Sequence, residues 1–399
     1  MTSIYIETLG CKLNQAESEA IRRDLTADGY RIVFSAEQAD VLLLNTCTVT
    51  HIADRKARQA VRAAVKANRD LKVVITGCYA ERGKKELENL PGVAAVWGNQ
   101  VKNCIPAKLL ELGFSRSLEN HAGESSRNRS MIKIQDGCDL RCAYCIVPMV
   151  RPVKSCVPAD GTLGQIKQRQ AEGFREVVLT GTEIGEYSGD GTDLAGLLKR
   201  ILDETSVERI RISSLQPQEA TPGLISLWKN ERLCRHFHLS LQSGSNPVLR
   251  RMRRRYTTAD YRDAVTLIRS YVPGAAVTTD IIAGFPGETD VEFEESIAFI
   301  ESIGFARLHI FPYSARPGTP AASMPDQIAP DTVKVRVARL TKLGRRCEAE
   351  FKRQFKGQSL EVLFEGKDGD KWLGYSDNYI RVAIESDENL ENQIISVKL

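Results

Sequence analysis

The sequence predicts an α/β protein in three parts: an N-terminal α/β domain on a parallel sheet, a partial (βα)6 barrel, and a small C-terminal β-barrel. Three observations predict it. The first hundred residues alternate apolar runs with helical segments, six strand-then-helix units follow from Ser130, and after Gly357 the pattern changes to short alternating strands. At 399 residues, 42% of them hydrophobic, the chain has room for two or three real cores. The boundaries expected are 1–114 for the first domain, 115–129 for a polar linker, 130–356 for the barrel with a basic helix at its end, and 357–399 for the small barrel.

In the first part, Ser3 to Leu9 reads as a strand and Gln15 to Thr26 as a helix with Ala20, Ile21 and Leu25 on its apolar face. Val41-Leu42-Leu43-Leu44 is apolar without interruption, as suits a strand covered on both faces of a parallel sheet. A helix rich in Arg and Lys from about Ala53 to Ala67, a strand at Val73 to Thr76 and a helix at Glu81 to Leu90 complete it. Each strand is followed closely by a cysteine: Cys11 after Leu9-Gly10, Cys47 after Asn45-Thr46, and Cys78 after Thr76-Gly77. Ligands of open α/β sheets collect outside the carboxyl ends of the strands, so the three thiols are expected on one side of one sheet. Three thiols there can carry an iron–sulfur cluster with one iron left open; three unrelated buried cysteines are the alternative.

The second part begins with a strand, Ser130 to Gln135, that runs into Gln135-Asp136-Gly137-Cys138-Asp139-Leu140-Arg141-Cys142-Ala143-Tyr144-Cys145. Cys138, Cys142 and Cys145 lie within eight residues, spaced C-x3-C-x2-C, and eight residues reach about 29 Å at most, so the loop can close on one compact soft cation or cluster. Structural zinc takes four ligands, whereas this loop has no His and the next thiol, Cys156, is eleven residues on. Three cysteines on a [4Fe–4S] cluster leave one iron open for a small molecule; a zinc loop or three reduced structural thiols remain the alternatives. Further strands are expected at Glu176–Thr180, Arg209–Ser213, His236–Leu241, Ala276–Ile282 and Ala306–Phe311. Six units are too few for a closed eight-fold barrel, and the site of a partial one belongs at the carboxyl ends of its strands. The turns there are polar and glycine-rich. Thr180, Gly181, Gln242, Ser243, Asp280 and Tyr313 are the candidates for bonding a ribose and an amino acid, against the alternative that such glycines serve turn geometry.

The segment Asp331 to Lys356 reads as a helix with nine Lys or Arg against three acids, Asp331, Glu348 and Glu350. Beyond it, strands are expected at Ser359–Phe364, Lys371–Tyr375, Tyr379–Ala383 and Ile394–Val397. Small barrels of this kind bind single-stranded nucleic acid through aromatics, here Phe364, Trp372, Tyr375 and Tyr379. Residues 357–399 nevertheless hold nine acids and four bases, a net of −5, leaving +9 for the remainder of a chain whose net charge is +4. Its basic run, Arg250 to Arg255, makes Arg253, Arg254 and Arg255 candidate RNA contacts, the alternative being a solvated helix face.

Composition narrows the class further. A pI near 8.4 permits RNA binding without requiring it. The first residues lack a basic segment followed by an apolar core, and no stretch offers about 18 uninterrupted apolar residues, so a cytoplasmic protein with no membrane partner is expected. Ten cysteines in a chain of this length fit reduced metal ligands with a few bystanders better than a secreted disulfide framework.

The C-x3-C-x2-C spacing resembles the signature of the radical S-adenosylmethionine (SAM) superfamily. With both cysteine triplets placed, the whole chain resembles the methylthiotransferase family of those enzymes. The motifs that carry the resemblance are Ile134 to Cys138, Leu239 to Ser245, Thr279 to Glu288 and Phe311 to Pro320. Leu9 to Gln15 and Gly374 to Val382 look like the MtaB branch, whereas Gln216 stands where relatives often carry an acid. The resemblance implies a radical-SAM barrel, a TRAM-like C-terminal barrel, SAM and two [4Fe–4S] clusters. Cys138, Cys142 and Cys145 would hold the radical-forming cluster, and Cys11, Cys47 and Cys78 an auxiliary cluster that holds the methylated sulfur. Catalysis would then belong to the cofactors rather than to side chains. The implied substrate is N6-threonylcarbamoyladenosine beside the tRNA anticodon, methylthiolated at C2; the other branches act on isopentenyladenosine in tRNA or on a ribosomal-protein aspartate. A non-catalytic iron–sulfur RNA-binding protein is the alternative of another class. An anticodon loop, an unidentified electron donor and a sulfur source are the expected partners, and a monomer the expected state.

Overall fold

The computed structural model describes residues 1–117 and 128–399, so most of the linker expected over 115–129 lies outside the described residues. The chain divides into two units. One comprises the described part of Met1–Ser126 with Asp136–Leu140 and Cys145–Lys154; the other comprises the described part of Arg127–Gln135 with Arg141–Tyr144 and Ser155–Leu399.

The first unit runs β1 (Ser3–Thr8), α1 (Lys12–Ala27), β2 (Arg31–Val33), β3 (Val41–Thr46), α2 (His51–Ala67), β4 (Lys72–Gly77), α3 (Cys78–Arg82), α4 (Lys84–Glu88), β5 (Val93–Val96), α5 (Ile105–Glu111) and α6 (Val147–Val150). Its sheet has the order β2-β1-β3-β4-β5 with every neighbouring pair parallel. All six residues of β3 are buried, the consequence of its central place. Alternate residues feed two cores: Leu42, Leu44, Val73 and Ile75 pack with Ala57 and Val61 of α2, and Ile4, Val41, Leu43 and Val74 with Ile21 and Leu25 of α1. The two strands the sequence did not announce, β2 and β5, have three and four residues, too short to display a period. The helix expected over Glu81–Leu90 is two short ones meeting at Gly83. Because the order reverses between β1 and β3, the switch point where such sheets bind ligands lies between those strands.

The second unit runs β6 (Arg129–Lys133), α7 (Ala159–Ala171), β7 (Glu176–Thr180), α8 (Leu194–Glu204), β8 (Arg209–Ile212), β9 (Ser214–Leu215), β10 (His236–Leu239), α9 (Asn246–Arg251), α10 (Thr258–Tyr271), β11 (Ala276–Ala283), α11 (Asp290–Ile303), β12 (Arg307–Pro312), α12 (Pro330–Arg353) and strands β13 (Ser359–Asp368), β14 (Lys371–Ser376), β15 (Arg381–Glu385) and β16 (Ile394–Lys398). Parallel pairing gives β8-β7-β6 and β9-β10-β11-β12, joined by a bridge between Ile210 and Leu233; the third βα unit carries its strand in two pieces, β8 and β9. The last four strands form an antiparallel, curled half-barrel of order β15-β14-β13-β16.

The half-barrel packs on residues at the starts of the partial barrel's strands. Arg209 donates to the carbonyls of Glu361 at 2.6 Å and Tyr375 at 3.1 Å, and Arg235 pairs with Asp377 at 2.6 Å. Arg211, fully buried, forks onto both oxygens of Glu176 at 2.8 and 3.2 Å and reaches the carbonyls of Asp377 and Ser376. The four C-terminal aromatics do not form a nucleic-acid platform. Phe364 and Trp372 lie in the half-barrel core, while Tyr375 and Tyr379 stack on each other at 5.0 Å beneath the guanidinium of Arg129, with Tyr379 also against His236. The basic helix α12 is partly neutralised by α11 and the turn before it, through Arg336 with Glu288 and Asp290, Arg339 with Glu294, and Arg346 with Glu301.

Candidate metal centres and cofactor site

In the first unit the three cysteines stand at the carboxyl ends of adjacent strands, on the switch-point edge. Cys11 is the N-cap of α1, Cys47 follows β3 directly, and Cys78 is the first residue of α3. Two glycines permit the convergence. At Gly10, with φ +121°, a Cβ would come 2.5 Å from that of Cys47, and at Gly77, with φ +102°, it would lie 2.3 Å from the carbonyl oxygen of Thr46. Asn14 knits the same edge together, donating to the carbonyls of Leu9 at 2.9 Å and Thr46 at 3.0 Å and accepting from the Cys11 thiol at 3.7 Å.

The thiols feel one another. Burial pushes the Cys47 thiol up to about 12, the Val49 N–H opposes that rise, and Cys11 and Cys78 add to it. Desolvation by the surrounding protein also raises Cys11, with Cys78 adding to the rise and Asn14 and Arg151 opposing it. Thiols held this way ionise when a metal cation compensates them. N–H groups already point at the sulfurs: Val49 N to Cys47 Sγ at 3.5 Å, and Arg151 Nε to Cys78 Sγ at 3.3 Å. Hydrogen bonds onto sulfur are what a protein supplies to an iron–sulfur cluster, so this donor set fits the group the resemblance implies.

Of the loop thiols, Cys138 and Cys145 belong to the first unit and Cys142 to the second. In the second unit the Cys142 segment is anchored by Ala143, whose N–H donates to the Met252 carbonyl at 3.0 Å and whose carbonyl accepts from Ala321 at 2.8 Å. Ala143 sits in a buried cluster with Val248, Met252, Phe285 and Ala321, against which Tyr144 and Tyr313 pack.

The cofactor candidates divide by what already holds them. Thr180 is buried at the end of β7, and Gly181 lies so close to Gln135 that a Cβ would come 2.8 Å from its carbonyl oxygen. The Gln135 side chain locks that turn by accepting from the N–H groups of Thr182 at 2.9 Å and Glu183 at 2.8 Å. Gln242 has φ +69°, its backbone pinned to β11 by Gln242 N to Asp280 O at 2.8 Å and Ile282 N to Gln242 O at 2.9 Å. Strained non-glycine backbone of this kind concentrates at ligand sites. Ser243 is occupied with α11, its hydroxyl 3.1 Å from that of Ser296, and Asp280 lies 3.3 Å from His238 Nε2. The Tyr313 hydroxyl is buried with no hydrogen-bond partner among the described residues. Gln216 donates to Glu183 at 2.7 Å and lies beside Glu219, whose carboxyl burial pushes up to about 7; an amide there avoids a further like charge.

The arginine run is not one solvated face. Arg251 forks onto Glu292 at 2.9 and 2.7 Å, while Arg253, with φ +59°, and Arg255 are exposed. Arg254 turns inward, contrary to its expected place on a phosphate. Its Nη1 donates to Cys142 Sγ at 3.3 Å, its Nε to the Tyr256 hydroxyl at 2.9 Å, and its Nη2 is buried without a partner among the described residues. Orphaned polar atoms on Arg254 and Tyr313 fit a polar cofactor that completes them. Sequence reasoning missed Arg254 in this role and missed Arg151 altogether; the available signal was one cation in the apolar stretch Ile146–Val153.

Residues 3–98 match the family described as "Uncharacterized protein family UPF0004", and residues 132–300 match the radical SAM superfamily. The threonylcarbamoyladenosine tRNA methylthiotransferase MtaB of Bacillus subtilis is 36% identical over 425 residues, covering 100% of this chain and 94% of that protein. The tRNA-2-methylthio-N(6)-dimethylallyladenosine synthase of Pelotomaculum thermopropionicum is 33% identical over 392 residues, covering 92% of this chain and 87% of that one. Among solved structures, the radical S-adenosylmethionine methyltransferase TsrM of Kitasatospora setae, with cobalamin and a [4Fe–4S] cluster bound, shares the fold at a TM-score of 0.58. It is 14% identical and covers 80% of this chain and 77% of its own.

Proposed function

The chain belongs to the radical-SAM methylthiotransferase family, and on that premise we infer that it adds a methylthio group to C2 of N6-threonylcarbamoyladenosine beside the anticodon of tRNA. The observation that carries the reading is the gathering of Cys11, Cys47 and Cys78 at the strand ends, each following its strand and two of them delivered by a glycine that nothing larger could replace. In this reading Cys11, Cys47 and Cys78 hold the auxiliary [4Fe–4S] cluster, and Cys138, Cys142 and Cys145 the radical-forming one. When bound, SAM and the loop cluster would supply radical chemistry for C2, and the auxiliary cluster would supply the methylated sulfur.

The chain's residues bind and orient. Gln135 fixes the Thr180–Glu183 turn that faces the cofactor, and the buried Nη2 of Arg254 and hydroxyl of Tyr313 take acceptor atoms of SAM. Gln242 and Asp280 hold adjacent strand ends in register through their backbones; Ser243, tied to Ser296, serves the turn. Arg253 and Arg255, exposed like Arg250, are the cations of the basic run assigned to phosphate. A one-electron donor, a sulfur source, a monomeric state and a cytoplasmic location complete the proposal, and no described helix is long and apolar enough to cross a membrane.

The branch is supported by two motifs at opposite ends of the chain, Leu9 to Gln15 and Gly374 to Val382. A site built to hydrogen-bond a threonyl carboxylate and hydroxyl rejects an apolar isopentenyl chain sharply, because its own polar groups are left unpaired. The experiment offers reconstituted enzyme, SAM, sulfide and reductant to two tRNAs, one with each modified adenosine. Methylthiolation of the threonylcarbamoyl tRNA is expected; turnover of the isopentenyl tRNA alone would overturn the branch.

A further inference from the structure

Arg151 follows the cysteine loop yet ends among residues of the N-terminal sheet, and it is one of the most enclosed cations of the first unit. A guanidinium has five N–H groups, and here each finds an acceptor. Nε donates to Cys78 Sγ at 3.3 Å; Nη1 donates to Glu17 Oε1 at 2.8 Å and to Asp136 at 2.7 Å; Nη2 donates to Glu17 Oε2 at 2.9 Å and to Asn14 Oδ1 at 3.4 Å. Lys102 pairs with the same Glu17. Two cations and two carboxylates therefore stand round one cysteine sulfur, balanced before that thiol ionises. Two further contacts seat the segment: the Asn99 side chain donates to the Val150 carbonyl at 2.9 Å, and Ile146 and Val150 pack on Cys78.

We propose that Arg151 is a positioning residue for sulfur transfer: it ties the chain on either side of the cysteine loop, through Asp136 and its own backbone, to the Cys78 sulfur, and it sets the reduction potential of the cluster on that sulfur. The proposal rests on the reading of Cys11, Cys47 and Cys78 as cluster ligands. Its physical basis has two parts. An N–H onto a cluster sulfur and a positive charge beside it both favour the reduced, more negative cluster. Removing Arg151 also takes one positive charge away from beside Glu17 and Asp136, which disfavours reduction further. Lysine restores charge but not shape, since three donors on one nitrogen cannot span a sulfur, two carboxylates and an amide as the planar fork does.

The experiment uses full-length protein in which Cys138, Cys142 and Cys145 are Ala, reconstituted with iron and sulfide, so that the auxiliary cluster is observed by itself. Its midpoint potential is read by EPR-monitored titration with Arg151 intact, as Arg151→Gln and as Arg151→Lys. The potential should fall in Arg151→Gln and recover in part in Arg151→Lys. In the otherwise native enzyme, Arg151→Gln should form several-fold more 5′-deoxyadenosine per methylthio product, since the sulfur is no longer held in step. A merely structural arginine would lower iron content without moving the potential of the clusters that form. If both variants carry full clusters at the parent potential, the proposal is overturned. If Arg151→Gln holds no cluster, Arg151→Lys decides in the same way. A parent protein with Arg151 intact that binds no cluster would instead refute the ligand reading on which the proposal stands.

Discussion

Two cysteines of this chain receive an arginine N–H at the same distance, 3.3 Å, and the two arginines differ in what they have left over. Arg151, on Cys78, spends all five donors on protein acceptors. Arg254, on Cys142, keeps a buried Nη2 with no partner among the described residues. A buried donor without an acceptor costs about 1–3 kcal/mol, more when charged, and persists where a ligand completes it. The first arginine is thus satisfied within the protein, whereas the second keeps a donor over for a ligand. The same contrast separates the ends of the partial barrel. At the amino ends of the strands Arg211 is held by Glu176 and two carbonyls, and at the carboxyl ends Tyr313 has a buried hydroxyl with no hydrogen-bond partner among the described residues.

The comparison can be broken in several places. Cys47→Ala should abolish methylthio product while 5′-deoxyadenosine still forms, both read by mass spectrometry of one reaction; normal methylthiolation would exclude a required ligand role. Arg211→Met breaks a buried pair and leaves Glu176 with only the longer contact to Arg209 at 3.9 Å, so unfolding stability should drop by up to about 3–5 kcal/mol, seen as a lower urea midpoint. Arg254→Gln, by contrast, should weaken SAM binding about 10- to 100-fold in equilibrium dialysis, the value of one or two charge-assisted hydrogen bonds. An unchanged SAM affinity would make Arg254 as self-contained as Arg151. The smallest effect belongs to Arg253→Gln with Arg255→Gln, which should flatten the salt dependence of tRNA binding by roughly 0.7–0.9 of a slope unit per lost phosphate contact. No change in slope would make both arginines plain solvated surface.

The parts of this molecule that repeat were legible in the sequence. The apolar run at Val41–Leu44 marked a central strand, and strand, then cysteine, three times over marked a shared edge, because period and position report which face of an element is covered. Short strands such as Arg31–Val33 escaped because three residues display no period. Arg151 escaped for a different reason: its main partner, Glu17, is 134 residues away, and a lone arginine has no pattern by which to announce a distant carboxylate. Tyr375 and Tyr379 were read as nucleic-acid contacts but stack under Arg129, since an aromatic in a strand does not say what lies against it. Arg254 was read with its neighbours as one basic run, although Arg253 at φ +59° reverses the chain between them and sends Arg254 inward.

The central claim is that SAM binds at one cysteine set and not at the other: the arginine on Cys78 is spent on protein acceptors, and the one on Cys142 keeps a donor for SAM. Two proteins test it most directly: one with Cys11, Cys47 and Cys78 changed to Ala, the other with Cys138, Cys142 and Cys145 changed to Ala, each reconstituted, freed of excess sulfide and reduced. Adding SAM should alter the EPR spectrum of the first protein, whose cluster rests on the loop, and leave that of the second unaltered. A SAM-induced change in the second protein but not in the first would contradict the account.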